Sequence, residues 1–316
     1  MLAGNLVALP TETVYGLGGF ARSAGAIRRI FAVKGRPPTH PVIVHVAGPE
    51  DIDAWAKDVP RSARILADAF WPGPLTIVVP KAESVDLALT GGQSTIALRA
   101  PAHPMFQDVL AGLAAAGEHA PGIAAPSANL FGRVSPTTAE HVIAELGDLL
   151  GADDMVLDGG PASIGVESTI VLCDPTGVRI ARAGGISVER LSEFVDIAAA
   201  DEVGPSSVRV PGGLESHYAP TARVTLVSNA AELETVRQTH LLGSDVGVIG
   251  LAHDLALCPP NWMRLAQPLT SDEYAHELYA SLRRADELGL THVIALAPPP
   301  AGIGTAVTDR LKRAST

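Results

Sequence analysis

The sequence predicts an α/β protein built from two compact parts, and three observations support that fold class. The chain has 316 residues, of which 47% are hydrophobic and only 4% aromatic, a composition typical of a globular protein rich in Ala, Val and Leu. Short β-branched runs alternate with segments of helical periodicity. A stretch rich in Pro, Gly and Ser at 201–222 interrupts this pattern and is typical of a linker. We therefore expect one domain at 1–200, a linker at 201–222 and a second domain at 223–316.

The first part begins with a short strand almost at the start of the chain and continues with mixed strands and helices. Strands are predicted at 6–9, 42–46, 77–80, 94–99, 156–158, 165–172 and 178–182, with a further one beginning at 122. Helices are predicted at 24–34, 50–55, 61–70 and 188–194, with a further one beginning near 138. This order predicts a sheet with helices around it.

The second part shows a simpler alternation. Strands are predicted at 223–227, 245–250 and 292–297, and helices at 230–238, 272–288 and 305–313. Alternating strands and helices at this spacing predict a small parallel sheet of Rossmann-like type.

Two cations at the end of the first predicted helix suggest an anion site. Lys34 and Arg36 flank Gly35, and Pro37-Pro38 prevents the helix from continuing, so both cations lie where a loop leads into a strand. Such a pair suits phosphate or carboxylate. The alternative, which the motif alone leaves open, is a solvated helix C-terminus where cations complement the dipole.

Several other polar motifs lie at predicted strand ends, where open α/β sheets bind ligands. Thr11-Glu12-Thr13 follows the first strand, and Gly16-x-Gly18 matches the dinucleotide fingerprint loosely, without the acidic residue expected about 20 positions later. Arg99 ends a strand and could bind a carboxylate, or form an ordinary surface ion pair. Ser135 or Thr137 could cap the helix that begins near 138, and a polar cap of this kind can bind an anion.

Composition and charge bear on cellular context. A net charge of −11 argues against a protein that coats nucleic acids, although a local basic pocket remains compatible with it. We find no apolar run of about 18 residues that would cross a membrane, and no basic segment with a long apolar core that would act as a secretion signal. Cys173 and Cys258 are far apart and lack metal-ligand spacing. A reducing cytoplasm is therefore expected.

Taken together, the motifs resemble the YrdC/Sua5 family in its longer Sua5 form. The matching segments cover the first 220 residues in order: PTETVYGLG at 10–18, KGRPPTHPVIVHV at 34–46, WPGPLTIVVP at 71–80, STIALRAPAHP at 94–104, APSANLFGRVSPTTAEHV at 125–142, DGG with GVESTIV at 158–171, RAGGIS at 182–187 and SHYAP at 216–220. The resemblance implies a twisted mixed sheet with surrounding helices and a concave cationic cavity.

The resemblance also implies an activity and a set of site residues. The family joins L-threonine, bicarbonate and ATP into L-threonylcarbamoyladenylate with release of pyrophosphate, and a separate transferase then modifies the adenosine at position 37 of tRNAs that read ANN codons. Lys34 and Arg36 would be catalytic. L-threonine would be held by Thr13, His45, Arg99, Ala125 and Ser168. ATP would be held by Arg36, His40, Thr95, Ser127, Asn129, Ser135, Arg182, His217 and Tyr218.

Mg²⁺ is expected to arrive with the triphosphate, without a dedicated protein cage. tRNA is expected to be contacted weakly or indirectly, and no membrane is implied. The linker would close over the nucleotide, although PGGLESHY stands where the family usually has PGMKYxHY, a difference that affects Leu214 and Glu215. Two alternatives remain at this point. One is an RNA-binding or ribosome-maturation module that uses the same cationic cavity. The other is a nicotinamide-dependent enzyme that would bind its cofactor through Gly16-x-Gly18.

Overall fold

A computed structural model of the chain describes residues 1–198, 208–212, 218–240 and 245–316, and the structural statements below refer to these residues. The chain divides into two compact units. The first unit comprises Met1–Phe131, Pro136–Ser163 and Glu167–Gly213, and the second comprises Gly132–Ser135, Ile164–Val166 and Leu214–Thr316. The predicted linker at 201–222 lies mostly outside the described residues, and the predicted domain limits stay a prediction.

In its described part, the first unit contains a mixed sheet of nine strands. The strands are β1 Val7–Leu9, β2 Gly16–Phe20, β3 Ile43–His45, β4 Leu75–Pro80, β5 Thr95–Arg99, β6 Ile123–Ala124, β7 Met155–Val156, β8 Thr169–Asp174 and β9 Gly177–Arg182. Their order across the sheet is β7-β1-β2-β6-β3-β5-β4-β8-β9. The pairs β1–β7, β3–β5 and β4–β8 are parallel and the others antiparallel. The predicted mixed sheet is thereby confirmed.

Seven α-helices accompany this sheet in the described residues. They are α1 Ala24–Lys34, α2 Ile52–Trp55, α3 Arg61–Phe70, α4 Leu87–Thr90, α5 Pro104–Ala115, α6 Ala139–Leu146 and α7 Val188–Ser192. The main hydrophobic core includes apolar residues of α1, α3 and α6 together with alternate residues of the strands.

The ends of α1 explain why Lys34 stands where it does. The Ser23 hydroxyl accepts a hydrogen bond from the backbone N–H of Ala26 (3.2 Å) and caps the start of the helix. Gly35 ends it with φ of 60°, a left-handed conformation that glycine adopts without steric cost. The predicted helix at 24–34 is confirmed, and Lys34 is its last residue.

The second unit contains a four-stranded parallel sheet in its described part. Its strands are β10 Arg223–Val227, β11 Val246–Ile249, β12 Met263–Ala266 and β13 His292–Leu296, in the order β10-β13-β11-β12. Its helices are α8 Ala230–His240, α9 Ala252–Leu255, α10 Ser271–Glu287 and α11 Gly304–Ala314. The predicted small parallel sheet is confirmed, and every pair in it is parallel.

Several local predictions were wrong or incomplete. The helix that starts at Ala139 is capped by the Thr138 hydroxyl, which accepts from His141 N–H (3.3 Å), instead of by Ser135 or Thr137. The segment predicted as a helix at 50–55 is a 3₁₀ turn, Pro49–Asp51, followed by α2. The sequence patterns also failed to indicate α5 and β12, because α5 has apolar residues around most of its surface and β12 is short.

None of the helices in the described part of the chain is both long and apolar enough to span a bilayer.

Candidate active site

One face of the large sheet carries three of the predicted site residues, His45, Arg99 and Arg182, and strand register explains why. His45 pairs with Arg99 across the parallel strands β3 and β5. Val78 pairs with Ala97, so Thr76 lies beside Arg99 on the same face. Ile170 pairs with Arg182 at the edge of the sheet. Because side chains alternate along a strand, these positions all project from one face.

The Arg99 cluster, which comprises Glu12, Thr13, His45, Thr76, Arg99 and Ser168, forms at one end of β3. The Arg99 guanidinium is 4% exposed. Its Nη2 lies 2.7 Å from Oε1 of Glu12, its Nη1 donates to the Thr13 hydroxyl (2.9 Å), and its Nε donates to the carbonyl of Gly73 (3.3 Å). Two separate segments, the loop after β1 and the turn before β4, therefore orient one guanidinium, which suits it to recognise a planar carboxylate.

The loop after β1 holds Thr13 through its neighbour Thr11. The Thr11 hydroxyl donates to the carbonyl of Val14 (2.6 Å) and accepts from the backbone N–H groups of Thr13 and Val14 (3.1 Å each). The hydroxyls of Thr11 and Thr13 also lie 2.8 Å apart, within hydrogen-bonding distance. This tight turn fixes Thr13 beside Arg99, although the two residues lie far apart in the sequence.

Ser168 links the Arg99 cluster to Arg182. The Ser168 hydroxyl lies 2.7 Å from that of Thr76 and accepts from Nη2 of Arg182 (3.2 Å), and the Ser168 carbonyl accepts from the same Nη2 (2.8 Å). Nη1 of Arg182 donates to the carbonyl of Pro211 (3.0 Å). Arg182 therefore joins the end of β9 to the described part of the linker segment.

His45 is buried between the sheet and α5 and is held in its neutral form. Its ring lies 5.1 Å from that of Phe106, and Nδ1 is 3.3 Å from the carbonyl of Ile123. Burial lowers the pKa of His45 to about 3, with the nearby charge of Arg99 acting in the same direction. At neutral pH His45 thus offers a polar, uncharged ring to the site.

Lys34 lies at the other end of β3 with two carbonyl oxygens around its amine. Nζ donates to the carbonyl of Ser127 (2.6 Å) and to that of Asn129. The side chain is 2% exposed, and burial lowers its pKa well below the usual value, with the charge of Arg36 acting in the same direction. The amine is therefore positioned by backbone groups of the polar tip that follows β6.

Arg36 and His40 complete the Lys34 cluster, which we define as Lys34, Arg36, His40, Ser127 and Asn129. Arg36 Nη2 donates to the carbonyl of Pro41 (2.7 Å), just before β3 begins. The His40 ring meets Phe131 edge-on at 5.3 Å, and burial lowers its pKa, with Arg36 adding to the effect. The two cations predicted from KGRPP thus lie together near the polar tip.

The remaining predicted residues of the first unit lie on neighbouring segments. Thr95 opens β5 and pairs with Pro80 of β4. Ala125 is buried just after β6, and its N–H donates to the carbonyl of Ile43 (3.1 Å). The side chain of Asn129 is buried, and its Nδ2 donates to the carbonyl of Leu130 (2.7 Å).

Three predicted ATP ligands fall outside the first unit or outside the described residues. Ser135 belongs to the second unit, and its carbonyl accepts from Nε of Arg283 (3.4 Å). Tyr218 also belongs to the second unit, where it stacks on Tyr279 with ring centroids 5.7 Å apart. His217 lies outside the described residues. For all three, the role in ATP binding stays a prediction.

Sequence reasoning missed two members of the Arg99 cluster, Glu12 and Thr76. The TET motif did signal a carboxylate near a strand end, but nothing in the sequence indicated that it would meet an arginine 87 positions later. The loose dinucleotide match is wrong in its structural context. Gly16 and Gly18 lie inside β2, and a Cβ on Gly18 would come within 3.0 Å of the Val7 carbonyl oxygen and of Ile123 Cγ2, so glycine serves close strand packing here.

Comparisons with known proteins agree with this architecture. A family model of the Sua5, YciO and YrdC proteins, described as "Telomere recombination", matches residues 1–184. A second model, "Threonylcarbamoyl-AMP synthase, C-terminal domain", matches residues 186–316. The two models together account for nearly the whole chain.

Individual relatives match along the full length. The threonylcarbamoyl-AMP synthase of Pyrococcus abyssi is 39% identical, covering 99% of this chain and 91% of the relative, and that of Bacillus subtilis is 35% identical, covering 98% and 89%. The crystal structure of P. abyssi Sua5 complexed with L-threonine superimposes with a TM-score of 0.84 at 37% identity, covering 99% of this chain and 91% of that structure. The chain belongs to the Sua5 family.

Proposed function

We propose that this protein is an L-threonylcarbamoyladenylate synthase, which joins L-threonine, bicarbonate and ATP and releases pyrophosphate. The observation that carries the proposal is the placement of the Arg99 and Lys34 clusters at opposite ends of the short strand β3, in a chain that matches threonylcarbamoyl-AMP synthases along its length. The comparisons do not favour the RNA-binding alternative.

The proposed chemistry needs positive charge and positioning. The threonine amine attacks the carbon of bicarbonate, water leaves, and a carbamate forms. A carbamate oxygen then attacks the α-phosphorus of ATP, and the bond to the departing pyrophosphate breaks. Bicarbonate, carbamate and triphosphate are all anionic, so cations aimed at the reacting groups should supply most of the rate enhancement.

In this proposal the Arg99 cluster binds L-threonine. Arg99 takes the carboxylate, while the hydroxyls of Thr13 and Ser168 and the neutral ring of His45 provide hydrogen-bonding groups. Ala125, just after β6, forms an apolar wall. A small amino acid with one hydroxyl fits the mixed polar and apolar character of these groups.

Lys34 and Arg36 are the proposed catalytic cations, acting on bicarbonate and the phosphates. The ATP ligands are proposed to be Arg36, His40, Thr95, Ser127, Asn129, Ser135, Arg182, His217 and Tyr218. Mg²⁺ enters as part of the ATP substrate. These cations would make the cavity locally positive, although the chain as a whole has a net charge of −11.

We further propose that the product serves tRNA modification in the cytoplasm, through a separate transferase, with tRNA itself bound weakly or indirectly. Cys173 and Cys258 are both free and buried, which suits a reducing compartment. The division into a catalytic domain at 1–200, a linker at 201–222 and a C-terminal domain at 223–316 is part of the same proposal.

Pyrophosphate release from ATP tests the proposal directly. The purified protein should release pyrophosphate only when L-threonine and bicarbonate are both present. Release with neither would indicate a simple nucleotide hydrolase. No release under any condition, with the protein shown to be folded by circular dichroism, would contradict the proposed function.

A further inference from the structure

Glu12 places a buried carboxylate directly on the guanidinium that is proposed to bind the substrate carboxylate. Its side chain is 10% exposed, and Oε1 lies 2.7 Å from Nη2 of Arg99. Its other oxygen, Oε2, accepts from the backbone N–H of Ala102 (3.1 Å). The hydrogen bond to Oε2 orients the carboxylate, and Arg99 is one half of a buried ion pair.

The other described members of the Arg99 cluster carry no charge, so the pair of Arg99 and Glu12 indicates which ligand charges the site would favour. Thr13, Thr76 and Ser168 are uncharged, and His45 is neutral near pH 7. The Arg99 cluster therefore presents one positive and one negative group side by side. A zwitterion, in which a carboxylate and an ammonium are separated by one carbon, matches that arrangement, whereas a simple carboxylate meets the attraction of Arg99 and the repulsion of Glu12 together.

Stability alone gives little reason for such a pair. Taking two charges out of water is energetically costly, so replacing a buried ion pair by well-packed apolar groups is often neutral or stabilising. A carboxylate in this position is better explained by the ligand that the site selects.

We propose that Glu12 is a specificity-determining residue of the amino-acid site, which makes the pocket select zwitterionic amino acids over simple hydroxy acids. The inference rests on the proposed function, because it takes Arg99 as the group that binds the substrate carboxylate. In the complex, the ammonium of L-threonine lies near Glu12 while its carboxylate binds Arg99. Bicarbonate and other small anions bind this pocket more weakly than they would bind an arginine without a neighbouring carboxylate, because Glu12 repels them.

The test compares two ligands that differ in the ammonium group. L-threonine and 3-hydroxybutyrate, which carries the same carboxylate and hydroxyl groups but no amine, are titrated by calorimetry into the wild-type chain, and the ratio of their Kd values is taken. In the wild type we expect L-threonine to bind at least about tenfold more tightly, given the attraction between unit charges a few ångströms apart in a buried site.

The same ratio is then measured in variants of single carboxylates. Glu12→Gln should lower the preference for L-threonine by about tenfold or more, and Glu12→Asp should restore part of it, because the charge returns. Glu83→Gln, which changes an exposed carboxylate of the same unit, is the matched control and should leave the ratio unchanged. Glu167→Gln tests the second buried carboxylate, next to Ser168.

Two outcomes would overturn the inference. If Glu12→Gln weakens both ligands equally, Glu12 only positions Arg99, and if Glu167→Gln is the variant that changes the ratio, Glu167 is the selecting residue. Should Glu12→Gln fail to fold, the wild-type measurement decides, because equal binding of the two ligands contradicts zwitterion selection. Failure of the proposed function looks different: L-threonine would then bind neither the wild type nor the Glu83→Gln control.

Discussion

Arg99 is surrounded by protein oxygen atoms from Glu12, Thr13 and Gly73, and its functional value depends on that environment. A guanidinium held on several sides keeps its orientation when a carboxylate binds, so little rotamer entropy is lost at that step. The same arrangement makes the residue costly to remove, because its loss leaves Glu12 buried without its cation.

Arg99→Ala should raise the KM for L-threonine by at least about tenfold and change the KM for ATP much less, since a charge-assisted pair to the substrate carboxylate is lost. Steady-state pyrophosphate release with each substrate varied in turn measures both values. Arg64→Ala is the control, because Arg64 forms an exposed ion pair with Asp53 and should alter neither value. Equal increases in both KM values would contradict the assigned role.

His45 links the site to acid stability. Its pKa is about 3 in the folded chain and 6.5 as an ordinary value, so between these pH values the unfolded chain binds a proton that the folded chain does not. The contribution of neutral His45 to the free energy of unfolding is therefore fully present above about pH 6.5. It is lost as the pH drops, by roughly 1.4 kcal/mol for each pH unit down to about pH 3.

His45→Gln should remove that part of the pH dependence, which urea unfolding at about pH 4.5 and about pH 6.5 would measure. The difference in unfolding free energy between the two pH values should shrink by about 2–3 kcal/mol relative to the wild type. His253→Gln, at an exposed histidine, provides the comparison and should leave the difference close to that of the wild type. An unchanged difference in His45→Gln would show that His45 is not buried in its neutral form.

At the level of the elements, the site depends on the close contact between the segment that follows β9 and the start of β8. Gly184 follows β9, and a Cβ at this position would come within 2.3 Å of the backbone carbon of Ser168 and the nitrogen of Thr169. Only glycine allows the RAGG segment to pass so close to the residue that joins Arg182 to the Arg99 cluster. The glycine is thus a packing requirement of the site.

Gly184→Ala should destabilise the protein by about 1–3 kcal/mol, because backbone on both sides has to shift. It should also lower activity, since Ser168 moves. Gly112→Ala is the matched control: Gly112 lies in α5 with open space around a Cβ, and alanine there should stabilise by about 0.5–1 kcal/mol. Chemical denaturation compares the two, and a neutral Gly184→Ala would contradict the close approach of the two segments.

At the level of the whole molecule, each of the two units contains a hydrophobic core among its described residues. The first is built around the nine-stranded sheet, and the second includes Val246, Val248 and Trp262 around the four-stranded one. The residues proposed for L-threonine all belong to the first unit. Ligand binding should therefore stabilise the first unit directly.

Calorimetric unfolding should show that L-threonine stabilises the first unit more than the second. L-threonine at about 100 times its Kd should contribute about 2.7 kcal/mol to the first unit and raise its Tm by several degrees, while the transition of the second unit moves little. D-threonine at the same concentration serves as the control ligand. An equal shift of both transitions would indicate that the two units unfold as one cooperative body.

Much of the fold follows from local patterns in the sequence. Helix Ala24–Lys34 has a serine cap, an apolar face and a terminal glycine, and β10, α10 and β13 carry clear periodicity, so their positions agree closely with prediction. Pro104–Ala115 was missed because a helix with a broadly apolar surface lacks the contrast between faces that periodicity requires.

Local patterns were enough to predict the α/β class, because composition and periodicity can be read within short segments of the chain. The resemblance of its motifs to the YrdC/Sua5 family then implied most residues of the Arg99 and Lys34 clusters. The pairing of Glu12 with Arg99 and the contact between Thr76 and Ser168 became apparent only in the folded chain. Those contacts depend on strand order and register, which bring distant segments together through the burial of one sheet face and leave no local signal in the sequence.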